Sequence, residues 1–246
     1  MKRFGPTISA TLAVVILIAA VLSCNVDQTE EQINLLSQYY TIEPASLLDS
    51  LKRGEAAFTP VNQKPEFVPF DQSVTVNWHQ ADYFYIAKAV YEGVLGKTLQ
   101  GWQLSGMDFD LACSQIQNGF QNGRLRFFSV IKDGDQEARL TRFIDIDPSD
   151  NFVHVSETKY SPKLIDLKSI DMTQLKISAD QALQIAESNG GEEKRASLNN
   201  ACSISLALNL DRRDRWYWDV FYTRSDDRTS FFDIQIDPYT GEIRSP

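Results

Sequence analysis

The chain has 246 residues, of which 43% are hydrophobic, 11% aromatic and 23% charged. That is enough apolar mass for a core and too little for a multi-span membrane protein. The formal net charge of -9 argues against a nucleic-acid binder, which needs a basic face for the phosphates. Two histidines and three cysteines leave little material for a transition-metal site, and no cofactor is implied.

At the N-terminus Lys2 and Arg3 form a positive region, and Ala10 to Leu22 is then apolar apart from Thr11. A spanning helix needs about 18–20 apolar residues, so this shorter run reads as a signal-peptide core. It ends Val21-Leu22-Ser23-Cys24, which resembles the lipobox of bacterial lipoproteins. The resemblance implies cleavage after residue 23 and a diacylglyceryl group on the Cys24 thiol, with the new amino group acylated too. An ordinary secretory signal with a chance cysteine is the alternative. Cleavage removes Lys2 and Arg3 and no acid. The remaining surface is repelled by anionic headgroups and hangs from its lipid instead of lying on the bilayer.

Residues 24–72 read as a tether with lead-in helices. Ile33, Leu35, Leu36 and Tyr39 suggest a short helix over Gln28 to Tyr39. Pro44 suits the start of a second, Ala45 to Arg53, closed by Gly54. Pro60, Pro65 and Pro69 make Thr59 to Asp71 an extended linker.

The remainder reads as one unit written twice. Asn77 and Gln80 in the first copy, and Ser178 and Gln181 in the second, have capping-box spacing. Gly93 and Gly190 stand where each helix could stop. Ala112-Cys113-Ser114 corresponds to Ala201-Cys202-Ser203. Phe128-Ser129-Val130 corresponds to Trp218-Asp219-Val220, and Ile144 to Pro148 to Ile234 to Pro238. Asp237 to Gly241 suits a type I turn followed by a left-handed residue. Asp147 to Asn151 repeats it with asparagine, the next most tolerant residue of positive φ. Ile144 and Ile146 share one strand face and Asp145 and Asp147 the other. One helix over one side of an antiparallel sheet follows. Each copy is large enough to hold its own core, so the pair is expected as two domains.

The C-terminal copy is similar to PepSY-type domains. The similarity rests on Ile177-Ser178-Ala179-Asp180-Gln181-Ala182 with Ile185-Ala186. It continues through Trp218, Val220 and Tyr222, and through Phe232 to Ile243 with its Thr240-Gly241-Glu242-Ile243 ending. The fold expected is therefore α+β, two tandem PepSY-like units at 73–160 (diverged, with Phe128 for the tryptophan and Asn151 for the glycine) and 177–246, joined by a linker at 161–176. The resemblance implies an extracytoplasmic protein linked to the restraint of peptidases, and it carries over no catalytic residue.

Cys113 and Cys202 stand at equivalent points of the two copies. In an exported protein such a pair favours a disulfide, and two buried free thiols are the alternative. His79 and His154 share no metal-ligand spacing. Asp145, Asp147 and Asp150 lack the glycine and twelfth-position glutamate of a calcium loop. Arg212, Arg213 and Arg215, interleaved with Asp211 and Asp214, read as a mixed-charge hairpin tip. Tyr83, Phe84, Tyr85, Tyr91, Trp78 and Trp102 read mostly as core, with one or two able to form a surface patch. The function expected is a non-enzymatic binding or regulatory protein at the outer face of a bacterial membrane, restraining a peptidase or sensing an envelope ligand. A structural or assembly lipoprotein of the envelope is the alternative, and beyond it a sugar-binding protein or a hydrolase. The ligand itself is not legible.

Overall fold

Strand β1 (Gln32–Thr41) opens the fold, where the sequence suggested a helix. Tertiary pairing overrides the local apolar spacing: β1 runs antiparallel along β6 (Phe152–Tyr160), with a bulge between Asn34 and Leu36. The bulge shifts the alternation by one residue, which is why Leu35 and Leu36 look helical in sequence. Tyr40 and Ile42 turn inward and are buried. The computed structural model describes residues 32–55, 58–63, 77–133, 136–160, 167–224 and 232–244. The signal segment, Cys24, most of the proline-rich linker and residues 161–166 lie outside these. Among the described residues no helix is long and apolar enough to cross a membrane.

Helix α1 (Pro44–Lys52) begins with proline in its first turn and ends before Gly54, whose φ is 74°. Strand β2 (Thr59–Val61) forms where a linker was expected, paired with Tyr39 to Thr41. Pro60 is tolerated there because β2 is the outermost strand.

Helix α2 (Gln80–Ala89) starts two residues later than the expected box. His79 is its cap, and the His79 N–H donates to the Asp82 carboxylate at 2.9 Å. Trp78 is held extended by a bridge to Gly119, with the Phe120 N–H donating to the Trp78 carbonyl at 3.0 Å, so Asn77 cannot begin the helix. Gly93 does not stop it: the helix widens into a π turn over Val90–Val94. Strands β3 (Gln103–Ala112), β4 (Asn122–Asp133) and β5 (Gln136–Asp147) follow and lead into β6.

The second half repeats this order. Helix α3 (Ala179–Ala186) carries the expected box, the Gln181 N–H donating to Ser178 Oγ and the Ser178 N–H to Gln181 Oε1. A π turn, Glu187–Gly191, contains Gly190 at φ 111°. The chain then resumes as α4 (Glu192–Ser197). Strands β7 (Ser203–Leu210), β8 (Trp216–Thr223), β9 (Phe232–Ile236) and β10 (Ile243–Arg244) complete the chain.

The expected pair of separately cored domains is not found. Among the described residues all ten strands form one sheet, in the order β10-β9-β8-β7-β3-β4-β5-β6-β1-β2. The halves meet where β3 pairs antiparallel with β7, from Asp108 opposite Ala207 to Ala112 opposite Ser203. Left separate, each half would present a long first strand with unpaired N–H and C=O groups. Fusing the two satisfies both edges. The inner face carries Met107, Phe109, Leu125, Ile144, Val153, Leu206, Trp218 and Ile236 under the helices, and these belong to one continuous core. Phe109 of the first half reaches Trp218 of the second, with ring centroids 6.5 Å apart.

Candidate functional site

Two features arise from this architecture, one at the seam and one on the outer face of the sheet. At the seam, β3 ends just before Cys113 and β7 begins just after Cys202. The two cysteines form a disulfide with Cα atoms 5.2 Å apart, and the Cys113 N–H donates to the Cys202 carbonyl at 2.8 Å. Above it the helix starts cap one another. Asp180 of α3 accepts from the Gln80 N–H at 3.1 Å and from His79 Nδ1 at 2.7 Å, while Gln80 Oε1 accepts from the Ala179 N–H at 2.6 Å. Each helix thus takes a partner for its orphan first-turn N–H groups from the other. Sequence spacing assigned Gln80 to its own helix. Its role across the seam is visible only in three dimensions.

The outer face carries the opposite members of the strand alternation. A cleft of about 560 Å³ opens there, lined by Asp108 and Asp110 of β3, Arg124 of β4, Asp145 and Asp147 of β5, and His154 of β6, with Tyr39 and Phe152 at one side. The register sets these side chains in rows: Asp108 is opposite Arg124, Arg124 opposite Asp145, and Asp145 opposite His154. Arg124 pairs with Asp145. His154 Nδ1 lies 3.1 Å from the other Asp145 oxygen and its Nε2 3.0 Å from Ser37 Oγ. The Tyr39 ring stacks on His154 with centroids 4.1 Å apart.

The carboxylates divide electrostatically. Burial would raise the Asp145 pKa, but hydrogen bonds from His154 and Arg124 outweigh it and hold the group below its ordinary value. Withdrawal from water raises Asp108, and the nearby Arg126 and Arg124 only partly offset it. Burial also raises Asp110, against a hydrogen bond from Ser205 and the charge of Arg124. Further along the row, Asp108 is opposite Ala207 and Ala207 opposite Asp219. Burial and the neighbouring Asp233 carboxyl push Asp219 up to about 7. Among the described residues its buried Oδ1 has no hydrogen-bond partner.

The remaining sequence candidates fall into structural roles. Asp147 Oδ1 accepts from Ser149 Oγ at 2.5 Å and from the Asp150 N–H at 3.0 Å, so it caps its turn. Asn151 and Gly241 take the positive φ expected of both turns, 58° and 80°. Among the described residues no group of three or more His, Cys, Asp or Glu is placed to hold a metal ion. Asp211 closes the Arg212–Arg215 hairpin tip, accepting from the Arg213 and Arg215 N–H groups at 2.8 and 2.9 Å. Trp78, Tyr83 and Tyr91 are core, and Trp216 and Trp218 are likewise buried. Phe84 and Trp102 pack against that core, while Tyr85 is 40% exposed. Asp108, Asp110 and Arg124 were not singled out by sequence. The alternation Met107-Asp108-Phe109-Asp110-Leu111 is the signal that marks an acidic outer face on β3.

With this geometry in hand, residues 176–245 match the PepSY family, described as "Peptidase propeptide and YPEB domain". The match runs from the lead-in of α3 past β10, and this segment, residues 176–245, is a PepSY domain. No curated protein matches the chain. Among solved structures, full-length peroxisomal multifunctional enzyme type 2 from Drosophila melanogaster is similar at 10% identity. The alignment covers 98% of this chain and 51% of that one, with a TM-score of 0.19. The chain thus spans about half the length of that enzyme, and so loose an overlay carries no argument.

Proposed function

We propose that the protein is a lipid-anchored, extracytoplasmic regulator that binds a partner protein, and that the partner is a peptidase of the bacterial envelope. The observation that carries the reading is the PepSY domain at residues 176–245. The family description ties that domain to peptidase propeptides, segments that occupy a peptidase and leave catalysis to it, so no reaction is assigned to this chain. The Cys113–Cys202 disulfide supports a location outside the cytoplasm, where such bonds persist. The lipobox-like Val21-Leu22-Ser23-Cys24 supports anchoring through Cys24, and two or three acyl chains suffice for stable attachment. The first half is a diverged copy of the PepSY unit. Its helix and four strands in the same order, meeting the second half through the first strand of each, support that origin.

The test is a deletion strain of the native host carrying either the full chain or its Cys24→Ala variant. Metabolic labelling with an alkyne fatty acid is expected to mark the full chain and not the variant. Hydrolysis of a casein reporter by the envelope fraction is expected to rise on deletion and to fall again only with the anchored form. Unchanged hydrolysis on deletion would remove the peptidase from the reading. An unlabelled full chain would remove the anchor.

A further inference from the structure

Among the described residues, the cleft on the outer face of the sheet holds more carboxylates than cations. Around the cleft stand Asp108, Asp110, Asp145 and Asp147, against the guanidinium of Arg124 and the imidazole of His154. The Arg124 guanidinium and the His154 imidazole are both directed at one carboxylate, Asp145. Asp108 has Arg126 and Arg124 near it but no ion pair with either, Asp110 accepts a hydrogen bond from Ser205, and burial raises the pKa of both against these partners. Outside the cleft the same row reaches Asp219, which faces the Asp233 carboxyl.

The spacing of these groups selects the kind of ligand. Asp108 and Asp110 are two residues apart on β3, as are Asp145 and Asp147 on β5, which places each pair about 7 Å apart. The strands carrying the two pairs are separated by β4, a distance of about 10 Å. A single calcium ion gathers its oxygens at about 2.3–2.6 Å, so one ion cannot bridge this array. An extended polypeptide repeats its same-side side chains every two residues, again about 7 Å. Lysines or arginines at alternate positions would therefore fall in step with the carboxylates. The Tyr39–His154 stack, with the edge of Phe152 against Tyr39 at 5.9 Å, walls one side and offers aromatic surface to a cation.

We infer that the cleft on the outer sheet face binds an extended, basic polypeptide segment whose cationic side chains alternate, seating them over the β3 aspartates Asp108 and Asp110, which are not ion-paired, while Arg124 stays on Asp145. The inference deepens the partner-binding reading above and names the chemistry of the bound segment. It requires neither the lipid nor a peptidase.

The full chain, purified in detergent, is titrated into three fluorescein-labelled octapeptides and anisotropy is read. One alternates Lys and Thr, one has the same composition with four Lys followed by four Thr, and one alternates Glu and Thr. The alternating basic peptide is expected to bind about ten-fold more tightly than the block peptide, and the acidic peptide not at all. Asp108→Asn with Asp110→Asn is expected to weaken the alternating peptide about ten-fold. Asp49→Asn with Glu55→Gln, on and beside α1, should leave it unchanged. A matching thermal melt for the cleft variant excludes misfolding as the cause. Equal affinity for alternating and block peptides, or an equal loss in the α1 variant, would reduce the effect to net charge and overturn the inference. Absent peptide binding with a dimer in sedimentation would place a second copy on this face and overturn it too. The deletion experiment above is read separately, so failure of either leaves the other standing.

Discussion

Arg142 is a buried cation whose removal gives a sharp test of how the first half is held together. It is 7% exposed, and its guanidinium lies 3.5 Å from the centroid of the Trp102 ring and 4.7 Å from that of Tyr91. Nε donates to Glu157 Oε2 at 2.7 Å and an Nη to the Thr98 carbonyl at 2.8 Å. Replacing Arg142 with methionine keeps the stem and deletes the charge, leaving Glu157, itself 7% exposed, buried beside a weaker partner. Lys97 Nζ stands 3.6 Å from Glu157 and is the more exposed cation. Breaking a buried pair from one side costs about 3–5 kcal/mol. Lys97 offsets part of this, so the expected loss is near the lower end, about 3 kcal/mol. At a urea slope of about 2 kcal/mol/M, the unfolding midpoint followed by tryptophan fluorescence should fall by about 1.5 M. Adding Glu157→Leu removes the stranded carboxylate and should recover about 1–2 kcal/mol of the loss. The stacking on Trp102 and Tyr91, about 1–2 kcal/mol, stays lost. A single variant within about 1 kcal/mol of the parent, or a double variant no more stable than the single, would refute the reasoning.

Three further outcomes are expected. Cys113 and Cys202 are separated by 89 residues, so Cys113→Ser with Cys202→Ser should destabilise by about 4–5 kcal/mol on the chain-entropy model; a thermal melt that moves by less than a few degrees argues that the β3–β7 pairing alone holds the seam. Asp219 binds its proton more tightly folded than unfolded, at about 7, so the folded state carries the extra proton between the ordinary carboxylate range and pH 7. Stability from this group is accordingly highest below the unfolded pKa and declines as pH rises through 7. Asp219→Asn should flatten that part of a urea-midpoint profile, and an unchanged slope between pH 5 and 8 counts against the assignment. At Gly123 an added Cβ would meet Tyr83 and Phe109 ring carbons at 2.7 and 2.8 Å, both rings being fully buried. Gly123→Ala should cost about 1–3 kcal/mol, and a wild-type melting temperature would show that the core there can yield.

What was legible in sequence was whatever depends on near neighbours. The Ser178–Gln181 box, the start of α1 at Pro44 and the paired turns ending in Asn151 and Gly241 are satisfied within a few residues, and the structure carries each of them. The inward Ile144 and Ile146, with Asp145 and Asp147 outward, follow from a period of two that any half-buried strand obeys. Misreadings occurred where a distant partner supplied the hydrogen bonds. Gln32–Thr41 is a strand because β6 offers it an edge, and α2 begins late because Gly119 holds Trp78 extended. The cleft was illegible for the same reason. Asp108, Arg124, Asp145 and His154 come from four strands, and only the register sets them in one row.

By itself, then, the amino-acid order determined the local currency of this protein. It set the helix caps, the turn residues, the strand alternation, the PepSY-like composition of residues 177–246 and the lipobox-like segment ending at Cys24. Tertiary structure decided how those pieces were joined. Two units large enough for separate cores became a single sheet, because antiparallel pairing of β3 with β7 satisfies backbone groups that each would otherwise leave at an open edge. That fusion brings Cys113 to Cys202 and sets Gln80 against the start of α3. It also extends the acidic outer row from β5 past the seam to β8, an arrangement that no spacing along one strand could specify.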